Sequence, residues 1–139
     1  MIISFSVFRD KLESGEKKQT IRPYSEFQYR RFYNAKKYQL YWHNPRNGGQ
    51  LIKEVESAGR PIRVFFMEPR SDAHISILYA STIQDIDLCY EAFGSLSDMR
   101  GIIAKRDGFE DYFTMVRWFE ETYKEKLLRP NEFMILRWK

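Results

Sequence analysis

GEKKQTIR, Gly15 to Arg22, sets a lysine, a hydroxyl and a guanidinium close together in the chain. Strand side chains alternate between faces, so a strand over Gln19 to Arg22 sends Thr20 and Arg22 to one side and Ile21 to the other. Lys17 reaches the Thr20 side only if the chain turns between them, and Gly15 makes such a turn easy. The loop then aims Lys17, Thr20 and Arg22 at one anionic or polar ligand. The same residues also fit a plainer reading, a solvated basic turn beside a helix stop.

Outward from this run, the elements on either side are set by periodicity. Upstream, Ile2 to Phe5 reads as a short strand, with Ser4 or Ser6 free to cap a helix after it. Val7, Phe8, Lys11 and Leu12 recur at helical spacing until Gly15 stops the helix. Downstream, PYSEFQYRRFYNAKK (Pro23 to Lys37) interleaves Tyr24, Phe27, Tyr29, Phe32 and Tyr33 with Arg30, Arg31, Lys36 and Lys37. Basic side chains contact phosphates and aromatic faces stack on unpaired bases, so the mixture suits single-stranded nucleic acid. It equally suits an amphipathic segment in which Phe27, Arg31 and Asn34 share a stripe while Tyr29, Phe32 and Tyr33 are core. Tyr38 to Trp42 reads as a strand, with Tyr38, Leu40 and Trp42 on one face. Trp42 belongs either to the core or to a cleft rim where it stacks on a base.

Asn47, Gly48 and Gly49 make a turn. IRVFFM after Pro61 and the run from His74 to Thr82 have strand character, with Glu68 to Asp72 as a hairpin loop between them. Ser97 to Arg106 reads as a short helix broken by Gly108. Phe109 to Leu128 reads as the longest helix, with Tyr112, Val116, Phe119 and Tyr123 on one buried stripe. Phe133 to Trp138 closes the chain as an apolar strand. The order lacks regular βαβ alternation and predicts an α+β fold, a small mixed sheet curled into a barrel with helices on its flanks.

The 139 residues fit a single domain over the whole chain, 1–139. A composition of 43% hydrophobic and 30% charged residues predicts a soluble globular domain with a core. The aromatic share, 17%, is high enough to leave rings at the surface. No apolar run approaches the ~18 residues of a membrane span, and MIISF lacks the length and basic flank of a signal peptide. A single cysteine, Cys89, excludes an internal disulfide and a multi-cysteine zinc site, and fits a reducing cytoplasmic setting. His43 and His74 stand apart without spaced partners, so neither a metal nor a cofactor is expected. The net charge of +4 points towards a polyanionic partner.

GEKKQTIR resembles the G-x-K-x-x-T-x-R signature near the start of ASCH domains, a branch of the PUA-like β-barrel superfamily. Tyr41 and Trp42 followed by Arg46 are similar to the strand and loop after that signature. Asp107-Gly108-Phe109 resembles the acidic-Gly-Phe element that opens the last helix, and FMILRW resembles the closing strand. The resemblance runs from about Ile2 to Trp138. The stretches Ser25 to Lys37 and Leu51 to Arg60 are longer than in a minimal member.

The resemblance implies a cleft on a barrel that binds RNA or a nucleotide-like ligand in RNA metabolism. Some small bacterial members are amidohydrolases that deacetylate N4-acetylcytidine with a lysine, a threonine and an acidic residue, and nuclease activity is attributed to others. Carried over, these catalytic positions are Lys17, Thr20 and Asp107. The deacetylating members have glutamate where this chain has Asp107, a shorter carboxylate that alters the triad's reach. The ligand-binding set expected here is Lys17, Lys18, Thr20, Arg22, Trp42 and Arg46, with Arg30, Arg31, Lys36 and Lys37 widening a basic rim. The oligomeric state is not specified.

The chemistry places its own demand on that assignment. A lysine serves as general base only if burial or neighbouring cations, here Lys18 and Arg22, lower its pKa from ~10.4. Thr20 is a weak nucleophile unless a base takes its proton. Asp107, paired with Lys17, would raise the lysine's pKa and oppose the base role. A hydrolase is therefore the alternative to a binding module, and a protein-docking role for the aromatic segment is a third reading.

Overall fold

A computed structural model describes residues 1–66, 77–80, 83–94, 96–123 and 131–139. The hairpin loop expected at Glu68 to Asp72, His74 and the end of the last helix beyond Tyr123 lie outside the described residues. Among those described, the fold is α+β: strands β1 (Ile2–Phe5), β2 (Gln19–Pro23), β3 (Lys37–Trp42), β4 (Gln50–Glu56), β5 (Ile62–Phe66), β6 (Ile77–Ala80) and β7 (Asn131–Arg137). The helices are α1 (Arg9–Ser14), α2 (Glu26–Tyr33), α3 (Ile83–Phe93), α4 (Leu96–Arg106) and α5 (Tyr112–Tyr123). No helix among the described residues is long and apolar enough to cross a membrane.

The strands form two sheets, ordered β1-β3-β4 and β2-β7-β5-β6, and no continuous pairing closes them into a barrel among the described residues. They meet at one corner. An isolated bridge joins Ser57, just past β4, to Trp138, just past β7, and the Ala58 N–H donates to the Arg137 carbonyl. On the opposite side, β1 and β2 are edge strands of different sheets. There the Arg22 guanidinium spans the gap and donates to the Ser4 carbonyl at 2.7 Å.

β7 separates two cores. Phe133 and Ile135 join a cluster with Phe93, Ile103, Met115 and Phe119 from the helices. Met134, Leu136 and Trp138 join one with Phe5, Leu12, Phe32 and Tyr38. A strand buried on both faces reads as a continuous apolar run, which is why FMILRW shows no alternation.

Several boundaries differ from the sequence reading. Ser4 lies inside β1, and Phe8 rather than a serine precedes α1, in a left-handed conformation with φ 62° and no side-chain cap. The last helix starts at Tyr112, not Phe109, because Gly108 turns the chain at φ 104° and the Asp111 carboxylate then accepts the Thr114 N–H. The Pro23–Lys37 segment holds α2, capped by the Ser25 hydroxyl on the Gln28 N–H. In it Phe32 is buried, while Phe27 and Tyr33 are exposed.

Candidate functional site

The seam between β1 and β2 opens into a cavity of about 210 Å³. Lys17, Thr20, Arg22 and Asp107 all line it, so the signature loop and the end of α4 meet at one place. The local chain dictates this. α1 ends at Gly15, whose φ of 82° reverses the backbone. β2 then carries Thr20 and Arg22 on the same side, as the Arg22 Nε–H bond to Thr20 Oγ1 at 3.1 Å shows.

α1 and the Gly15–Arg22 loop dock on the C-terminal end of α4 and the turn after it through consecutive carbonyls. The Lys18 N–H donates to the Arg106 carbonyl, the Lys17 ammonium to the Asp107 carbonyl, and the Lys11 ammonium to the Gly108 carbonyl. A helix C-terminus carries unsatisfied carbonyls and partial negative charge, so cations are stabilised there. Gly108 admits this approach. A Cβ on it would stand 3.2 Å from the Phe8 ring and 3.5 Å from the Lys17 Cδ.

Lys17 and Asp107 are both almost fully buried, with the ammonium 3.5 Å from Asp107 Oδ2. Burial lowers the pKa of Lys17; attraction to Asp107 opposes this and the nearby Arg22 charge reinforces it. Burial also raises the pKa of Asp107, against the pull of Lys17, Gln19 and Arg22. Each shift favours an uncharged partner, which is what burial in a low-dielectric site does to an ion pair. Asp107 Oδ1 and Gln19 Oε1 are buried without a hydrogen-bond partner among the described residues. The other end of the Gln19 amide donates to the Ile103 carbonyl at 3.0 Å.

Arg22 is held rather than free to swing. Its guanidinium bonds Thr20 and Ser4 and lies 5.1 Å over the Phe5 ring. A guanidinium has five N–H donors, and the remainder have no protein acceptor among the described residues. They are available to a ligand in the cavity.

The walls are aromatic, and sequence reasoning did not assign them. Phe5, Phe8, Phe109, Trp118 and Tyr123 line the cavity. The Phe8 and Phe109 rings meet edge to face at 4.9 Å. Tyr123, expected in the core on the α5 stripe, is half-buried; burial raises its pKa while Arg22 pulls it down. The spacing of Tyr123 with Phe119 marks a buried face but holds no sign that this face ends at a cavity.

The remaining expected residues are dispersed. Lys18 is exposed, and its backbone rather than its side chain ties to the site. Arg30 pairs with Glu26 on the outer surface, Lys37 pairs with Glu54, and Lys36 is exposed away from the cavity lining. Trp42 is half-buried against the second core, beneath the Arg9 guanidinium at 5.6 Å. Arg31 and Arg46 line a different groove that shares Ser4 with the cavity. Among the described residues, no His, Cys, Asp or Glu cluster could hold a metal. No family model, curated protein or solved structure matches the chain.

Proposed function

We propose that this chain is a PUA-like domain of ASCH type that takes one base of an RNA or nucleotide-like ligand into the β1–β2 cavity, serving RNA metabolism in the cytoplasm. The observation that carries this reading is the convergence of Lys17, Thr20, Arg22 and Asp107 on one aromatic-walled cavity. The Ser57–Trp138 corner and the Arg22–Ser4 link support viewing the two sheets as a barrel parted at this seam. Arg22 supplies hydrogen-bond donors for a base carbonyl or ring nitrogen, and Phe8 and Trp118 supply faces for stacking. Tryptophan fluorescence titration with ribonucleosides and short RNAs tests it. Arg22→Ala is expected to weaken binding at least tenfold, and unchanged affinity in that variant would refute the assignment.

A second reading, hydrolysis of an acylated nucleoside, is favoured by the low basicity that burial confers on Lys17. A neutral Lys17 amine accepts the proton from the Thr20 hydroxyl or from a water as it attacks the acyl carbon. The C–N amide bond then breaks and the amine leaves with the proton that Lys17 took; where Thr20 attacked, water then hydrolyses its acetyl ester, so by either route N4-acetylcytidine plus water gives cytidine plus acetate. The assay follows release of cytidine from N4-acetylcytidine. Turnover lost in Lys17→Met, with folding confirmed by circular dichroism, supports the hydrolase, and full activity in that variant rules out the mechanism; loss in Thr20→Val assigns the attack to the hydroxyl, and retained turnover there assigns it to water.

A further inference from the structure

The cavity between β1 and β2 is smaller than the roughly 300 to 1,000 Å³ of pockets that enclose drug-sized ligands; at about 210 Å³ it suits a single ring system. A nucleotide seated there must leave its sugar and phosphates outside. Ser4, at the sill of the cavity, also lines an open groove of about 580 Å³ running over the outer face of β1. That groove is polar and carries Arg31, Arg46, Gln28, Gln39 and Asn44, with no carboxylate among the described residues that line it.

The two arginines come from separate elements, Arg31 from α2 and Arg46 from the 3₁₀ turn after β3. Both are exposed, and neither forms an ion pair among the described residues. The Asn44 side-chain oxygen accepts the Arg46 N–H at 2.9 Å, which fixes the turn and leaves the amide nitrogen free to donate. By contrast, the neighbouring cavity at Lys11, Lys105 and Arg106 is partly neutralised by Glu16 and Glu110. Arg30 and Lys37 are already paired with carboxylates.

Resting on the base-binding reading above, we propose that the preferred ligand is a single-stranded RNA segment rather than a free nucleoside, its backbone leaving the cavity over Ser4 and lying in the Arg31–Arg46 groove. Guanidiniums without carboxylate partners suit phosphates, and the side-chain amides suit ribose hydroxyls and base edges. The base must be unstacked to enter, which selects single strands or loops over duplex.

The test uses the full chain with two probes. A fluorescein-labelled, mixed-sequence RNA nonamer is followed by anisotropy, and cytidine and N4-acetylcytidine are followed by tryptophan fluorescence. The expected result is that the nonamer binds at least tenfold tighter than either nucleoside. Arg31→Gln/Arg46→Gln should cost it about tenfold and lower the slope of log K against log salt by about 1.4, for two phosphate contacts at ~0.7 each. Nucleoside affinity should not change in that variant. A nonamer no tighter than the nucleosides, or one unaffected by the double substitution, overturns the groove while the cavity reading stands. Loss of nucleoside affinity in the double variant also overturns it. Failure of both probes with the wild-type chain removes the base-binding reading itself, and the groove with it.

Discussion

Replacing Lys17 with methionine keeps the stem of a buried side chain and removes its charge. The side chains of Lys17 and Asp107 are 3% and 6% exposed, so solvent does little to screen the pair. Asp107 would lose both the ammonium near its carboxylate and the lysine hydrogen bond to its carbonyl, while Oδ1 already lacks a donor. Removing one partner of a buried pair costs about 3–5 kcal/mol. At a urea m-value of ~2 kcal/mol/M this moves the unfolding midpoint down by about 2 M.

The loss should depend on pH in a defined direction. Burial raises the folded pKa of Asp107 above its ordinary value, so its protonated form is favoured by the fold. Such a group contributes stability that is fully present below the unfolded pKa of ~3.9 and is lost as pH rises through the folded pKa. Without Lys17 to oppose the shift, the deficit relative to wild type is smallest near the unfolded pKa and grows as pH rises above it. Lys17→Met/Asp107→Asn, which removes both charges, should recover most of the stability, since uncharged replacements for buried pairs are often neutral or stabilising. Urea denaturation from pH 4 to 8 with all three chains measures this. A Lys17→Met penalty under about 1 kcal/mol, or one independent of pH, would refute the buried-pair account.

Gly108→Ala forces a side chain into φ 104° against the Phe8 ring and Lys17, a strain of about 1–3 kcal/mol; calorimetry should show a lower melting temperature, together with weaker ligand binding. Ser25→Ala removes the cap on α2 and should cost ~1 kcal/mol in denaturant midpoint without touching the cavity. Thr20→Val leaves the Arg22 Nε–H without its acceptor, a loss of about 1.5–3 kcal/mol for a bond to a charged group, read by urea denaturation. If the site hydrolyses acylated nucleosides, the rate should rise with pH and level off, because a base acts once deprotonated. The lowered Lys17 pKa puts the midpoint below the ~10.4 of an ordinary lysine, and a midpoint at or above that value in the pH–rate profile excludes Lys17 as base.

The alternation in GEKKQTIR is legible because strand period alone puts Thr20 beside Arg22, and a turn at Gly15 is enough to bring Lys17 to them. Asp107 needs the resemblance, since nothing local in the sequence says that a residue after α4 faces a loop near the other end of the chain. β4 escapes a reading by pattern because QLIKEVE is mostly exposed and lacks a clean buried face. α3 escapes it because, among positions 87–93, only Cys89 and Phe93 are buried and the others are exposed or half-buried. Periodicity starts α5 too early because Phe109 has a helical spacing to the later stripe, yet its ring packs on Phe8 from an irregular turn. The aromatic and basic mixture of Pro23 to Lys37 is divided: Phe32 is core, Arg30 is paired with Glu26, and Arg31 faces the groove. Composition cannot separate those fates, because they depend on where α2 lands.

The row of carbonyls at the end of α4 joins residues 90 positions apart in the chain. A nascent chain therefore displays GEKKQTIR long before Asp107 has been synthesised, and during that interval Lys17 is a solvated lysine of ordinary basicity. Its altered proton affinity arises only when the two segments close on each other. Incomplete chains and unfolded molecules thus carry Lys17, Thr20 and Arg22 without the buried pair, and the cavity takes shape in the same step that completes the fold.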